Sequence, residues 1–158
     1  MSLASQGDAR VFNLPVCRSS KGELACISYF NTMNITIQRQ FELPSFRNRY
    51  YDFMFRINDR WYLLEFDGIQ HFKFVSMFHK NKAEFVHNQQ IDILKTQNGI
   101  EAGYFVIRID YKQIDTIASH VQEALKYPEY RKYYVSNYKT YHHLVSQMNT
   151  YFIRRLLI

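Results

Sequence analysis

Cysteine, proline, glycine and long apolar runs are all scarce in this chain, and each scarcity removes a class of answer. Two cysteines, Cys17 and Cys26, make neither a disulfide framework nor a four-ligand zinc site. Reduced thiols in an intracellular protein, cytoplasmic or nuclear, are therefore expected. Five glycines and three prolines leave little material for linkers, so connections should be short. No stretch is long and apolar enough to span a bilayer. The terminal "YFIRRLLI" is interrupted by Arg154 and Arg155, and the opening "MSLASQGDARVF" lacks the apolar core of a signal peptide. Neither export nor a membrane partner is expected, and no internal repeat or low-complexity tract is visible.

What is abundant is aromatic and basic. The 158 residues are 47% hydrophobic and 17% aromatic, a globular composition sized for one domain with a proper core. The net charge of +6 points to a polyanionic partner, nucleic acid before membrane.

Residues 1–18 have no periodicity and read as an arm. Ser20 and Glu23 have capping-box spacing and open a helix to about Met33. "ITIQRQF" (35–41), "RYYDFMFRI" (49–57) and "RWYLLEF" (60–66) read as strands, the last two joined by an Asn58-Asp59 turn. Asn81 and Glu84 open a second helix that ends near Asn98-Gly99; "GYFVIRIDY" is a further strand, and helical periodicity runs from Asp115 to Lys126. After Pro128 comes a tyrosine-rich segment of helical character. Residues 19–126 are thus expected as an α/β core in the order α-β-β-β-α-β-α, and 127–158 as a C-terminal helical extension. Between Val121 and Ile158 stand six Lys/Arg against two acids, interleaved with tyrosines. That pattern suits phosphate contact through residues such as Arg131 and Lys132, and it equally suits a packed helical element.

A two-residue turn at Asn58-Asp59 sets Phe53 opposite Leu64, Phe55 opposite Tyr62, and Tyr51 opposite Phe66 on one apolar face. On the other face it sets Asp52 opposite Glu65 and Tyr50 opposite Asp67. Opposed residues have Cβ atoms roughly 5 Å apart, where like charges repel; Asp67 lies about 7 Å further along the same face. Three converging carboxylates call for a hard divalent cation, Mg²⁺ or Mn²⁺. The alternative is a solvated sheet face on which Asp52 and Glu65 pair with Arg56 or Arg49.

Asp52, then "EFDGIQHF" (65–72), Asp92-x-x-Lys95 and "VIRIDY" (106–111) together resemble the PD-(D/E)XK nuclease superfamily, in its very-short-patch-repair-like and homing-endonuclease-like branch. The resemblance spans about Ser19 to Tyr111. It implies a restriction-endonuclease-like core, an α-β-β-β-α-β mixed sheet flanked by helices, and divalent-metal-dependent hydrolysis of phosphodiesters, DNA before RNA. It implies that Asp52, Glu65 and the backbone carbonyl of Phe66 hold the metal, with Asp67 beside them. Asp67 replaces the lysine usual two residues after the acid, so Lys95 from the following helix is expected in its stead. Gln70 and His71 match the branch's polar pair, and His71 is a candidate proton shuttle. Glu23 is read as a cap before a metal neighbour.

Several readings stay open. Arg108 suits either phosphate contact or a structural ion pair. On a helical wheel Ala83, Val86, Ile93 and Leu94 form the apolar stripe, with Asn88, Asp92 and Lys95 well off it. "FKFVSMFHK" (72–80), with Lys73, is either a packed satellite cluster or a wedge against bases. Rivals to the nuclease are a non-catalytic nucleic-acid-binding module on the same fold and a protein-interaction domain. A homodimer is one route to specificity.

Overall fold

The computed structural model describes residues 11–12, 19–126, 128–129 and 131–156. The elements are β1 (Val11–Phe12), α1 (Lys21–Thr32), β2 (Ile37–Leu43), β3 (Phe46–Ile57), β4 (Arg60–Asp67), α2 (Lys82–Glu101), β5 (Phe105–Asp110), α3 (Ile117–Ala124), β6 (Tyr133–Val135) and α4 (His142–Leu156). Short 3₁₀ turns at Ile69–His71 and Tyr111–Thr116 follow β4 and β5. Most of the proposed arm lies outside the described residues; Val11–Phe12 pairs parallel to β2.

The strands lie in chain order in one mixed sheet. β2, β3 and β4 form an antiparallel meander, and β5 and β6 add on in parallel. The β3–β4 turn has both Asn58 and Asp59 at positive φ, 51° and 65°, the type I′ geometry whose twist matches that of a hairpin. Ile57 pairs with Arg60, Phe55 with Tyr62 and Phe53 with Leu64, as the sequence register requires.

α1, through Phe30, and α3 pack on one face over Phe53, Phe55, Tyr62, Leu64, Ile107 and Ile109. α2 and α4 cover the other. The first turn of α1 is fixed by a complete capping box: Glu23 N–H donates to the Ser20 hydroxyl, and Ser20 N–H to the Glu23 carboxylate. Asn81 caps α2 through the Glu84 N–H, while the reciprocal bond from Asn81 N–H to Glu84 is not formed. Among the described residues, no helix is long and apolar enough to cross a membrane.

Two features depart from the sequence reading. The segment expected as a separate helical extension supplies a strand, β6, to the sheet, and α4 buries Leu144 and Met148 beside Tyr141. The three-residue strand "YYV" is too short to stand out from its tyrosine-rich surroundings by period. Tyr51 is not on the face of Phe53: it packs with Leu43, Leu63 and Val106 under α2. Residues two apart in a strand share a face, so β3 changes face at Asp52. The ladder to β2 goes from Arg39–Phe53 to Phe41–Tyr51 and skips Gln40, which has φ 50°, a conformation costing a non-glycine residue about 1–2 kcal/mol. On the other side, regular pairing with β4 stops at Phe53–Leu64. Asp52 therefore sits where β3 and β4 part, beside an irregularity in the ladder to β2.

α1 approaches this fork closely because residue 22 has no side chain. A Cβ on Gly22 would stand 1.9 Å from the Phe66 ring. Gly22→Ala is expected to destabilise the fold by about 1–3 kcal/mol, the usual penalty for overpacking; urea denaturation measures it.

Candidate functional site

At the fork the acids take over the backbone bonds that the ladder gives up. The Asp52 N–H donates to Glu65 Oε1 at 2.9 Å, and the Phe66 N–H donates to Asp52 Oδ2 at 2.9 Å. The register argument thus brings Asp52 and Glu65 together, and both line one cleft of about 490 Å³ with Glu23, Phe66, Gln70 and His71. Glu23 keeps its cap and also meets Arg39 at 3.4 Å. Neither Arg56 nor Arg49 pairs with Asp52 or Glu65; Arg56 is held by Asp59.

Lys95 reaches Glu65 Oε2 at 2.8 Å and the Tyr50 carbonyl at 2.6 Å. It is only 9% exposed, against the helical wheel, which placed it off the buried stripe. Of the apolar wheel positions, Ala83, Val86 and Leu94 are exposed, and the stripe facing the sheet is Asp92, Lys95, Thr96 and Gly99. α2 buries polarity because β4 and β5 present charge to it. The face change at Asp52 contributes directly: it carries Tyr51 under Lys95, where the phenol donates to the Lys95 carbonyl at 2.6 Å and the amine lies 5.1 Å from the ring centroid.

Below this pair lies a network centred on Arg108, which is fully buried. Its Nε and Nη2 grip the two oxygens of Asp67 at 2.9 Å each, and Nη2 is 2.9 Å from Asp92 Oδ1. Tyr141 donates to Asp67 at 2.8 Å, so α4's lead-in is tied to β4. Asp92 Oδ2 holds His71 Nδ1 at 2.7 Å.

The geometry also shows where two further candidates lie. Asp67, expected among the metal ligands, gives its oxygens to Arg108 and Tyr141. Its parity with Glu65 is right, but β5 sets a guanidinium beside it. Arg108 has no exposed surface and forms buried ion pairs with Asp67 and Asp92. Asp67, His71 and Asp92 do offer ligand atoms within 4.8 Å of one another, but Arg108 already supplies the positive charge that such a group would draw. Sequence reading missed the network as a set; the signal available was an arginine and an aspartate in an apolar strand, "VIRID".

Electrostatics sharpen the roles. Burial, then Glu65 and Glu23, raise the Asp52 carboxyl well above its ordinary range. Among the described residues Asp52 has no ion-pair partner, and its Oδ1 takes no hydrogen bond. Burial disfavours a charged His71 ring, but Asp67 and Asp92 outweigh it and push its pKa up to about 9. Those two carboxylates favour the protonated ring near neutral pH. Burial would raise Asp92; Arg108 and then His71 hold it down at about 2.

The remaining candidates are peripheral. Gln70 lines the cleft beside His71. Lys73 and Lys132 are exposed; Arg131 donates to the carbonyls of Glu123 and Lys126 and sits over Tyr134. In the 72–80 segment Phe72 packs edge-on against Tyr141 and Phe74 stacks on His79, whereas Phe78, half exposed, stands at the cleft wall. Comparison of this chain with protein-family models, with curated proteins and with solved structures finds no match.

Two outcomes follow from the network. Arg108→Leu leaves Asp67 and Asp92 buried without their counter-charge and should cost about 3–5 kcal/mol, read from denaturant unfolding. The His71 pKa is raised from 6.5 to about 9 on folding, so its stabilisation is complete below pH 6.5 and lost as pH rises through 9. The expected loss is of the order of 3 kcal/mol; unfolding curves across that window should slope in the wild type and flatten in His71→Gln.

Proposed function

We propose that this protein is a divalent-metal-dependent endonuclease that hydrolyses nucleic-acid phosphodiester bonds, DNA before RNA. The observation that carries the reading is the fork itself: two carboxylates from adjoining strands, with a buried lysine on one of them, in a cleft beside His71. The restriction-endonuclease-like character of the sheet belongs to the same proposal.

The donor set fits a hard cation. Asp52 is the one carboxylate of the group lacking a cationic partner, it keeps a free oxygen, and Glu65 and Glu23 crowd the same cleft. A negative cluster of this kind suits Mg²⁺ or Mn²⁺ held by oxygen ligands. Asp52 and Glu65 would hold the ion, with the Phe66 carbonyl alongside. When bound, the ion supplies Lewis-acid polarisation of the phosphoryl group and a bound water of lowered pKa. The chain's own groups do the rest. Lys95, fixed by Glu65 and the Tyr50 carbonyl, stabilises charge that develops on the phosphoryl oxygens. His71, held through Nδ1 by Asp92 and facing the cleft, enters the reaction protonated and serves the departing oxygen as an acid.

A second reading has its own observation. Both Glu65 oxygens are engaged, one by the Asp52 N–H and one by Lys95, which favours a non-catalytic nucleic-acid-binding module whose acids are structural. The two readings part in one experiment. The purified chain is incubated with labelled DNA and RNA in Mg²⁺ or Mn²⁺, and cleavage should appear with either ion and disappear in EDTA. Asp52→Asn and Glu65→Gln should abolish it, and Lys95→Ala should lower it by about 10²–10³-fold. No cleavage of any substrate by the wild type would sink the enzyme reading; cleavage that survives both acid substitutions would sink the site.

A further inference from the structure

A second cleft of about 210 Å³ adjoins the first, and Gln70 and His71 line both. The two are separated by an ion pair: Glu65 belongs to the first, Lys95 to the second, and they meet at 2.8 Å. On the far side stands Arg49. Its Nη1 donates to the Asn48 carbonyl at 3.1 Å, and among the described residues no carboxylate pairs with it. The neighbouring Arg47, by contrast, is taken by Glu42. The one acid in this cleft, Asp92, is already bound by Arg108 and His71. A guanidinium left without an anion beside a cleft is a planar fork available for one, and phosphate matches it.

We infer that the second cleft receives the nucleotide next to the cut, with Arg49 gripping its phosphate. The inference rests on the nuclease reading for the identity of the chain that crosses the ion pair. Its volume lies below the roughly 300–1,000 Å³ of sites that enclose a whole small ligand, which fits one backbone unit of a longer strand. The order across the surface is then the acids, Lys95 with His71, and Arg49. A polymer lying over Lys95 meets all three in succession. Single-phosphate ligands meet only one, so length of substrate becomes part of recognition.

The test is a cycle between protein and substrate phosphates, read as binding in Ca²⁺ by anisotropy of a labelled single-stranded oligonucleotide. The expected result is that Arg49→Gln weakens binding about 5–20-fold and lowers the salt slope by about one phosphate. Arg49→Lys, which keeps the charge and loses the fork, should fall between. Uncharged methylphosphonates are then placed one position at a time. One position should weaken the wild type and leave Arg49→Gln unaffected, and it should be the neighbour of the bond cut in Mn²⁺. Wild-type affinity in Arg49→Gln, or additive losses at every position, would overturn the subsite even if cleavage occurs. A single coupled position without cleavage would support the phosphate contact while removing the enzyme reading.

Discussion

A guanidinium with no exposed surface cannot exist in a protein interior without carboxylates around it, and Arg108 organises this molecule on that condition. Moving a lone charge out of water costs far more than any single packing contact returns. Asp67 from β4, Asp92 from α2 and the Tyr141 hydroxyl ahead of α4 are therefore drawn to one point of β5. Those three contacts fix how α2 and the C-terminal segment sit on the sheet. They also dictate that α2 turns its polar side inward and leaves Val86 and Leu94 at the surface.

The charge balance then bears on function. Arg108, Lys95 and His71, whose pKa these acids push up, face Glu65, Asp67 and Asp92, and Asp52 is the acid left over. It stands at the fork because β3 switches faces there, an irregularity stabilised by side-chain carboxylates accepting the N–H groups of the parted strands. An irregular ladder and an acid without a cationic partner at one residue are the pattern expected of a working site, where local rules are broken for a purpose. The same switch places Tyr51 beneath Lys95, so the lysine is held in low-dielectric surroundings with its amine directed at Glu65.

Much was legible in the residues themselves. The Ser20–Glu23 box, the Asn58-Asp59 turn and the alternation of "FMF" with "YLL" specify a helix start and a hairpin register through local chemistry, and the structure has both. That register suffices to bring residues 52 and 65 together. The sequence pattern failed where partners are distant. Lys95 on a wheel looks solvated because a wheel sees only its own helix. Arg108 looks ambiguous because its partners lie 41 and 16 residues away.

By itself the sequence determined the α/β alternation, the hairpin and the meeting of two acids, because hydrogen-bonding turns, caps and period-two patterns act over a few residues. Only the tertiary structure decided that Asp67 belongs to Arg108, that Lys95 is buried on Glu65, and that "YYV" near the C-terminus completes the sheet. Those outcomes depend on which charges the fold shuts away from water together, and that is settled by packing between segments and not within any one of them.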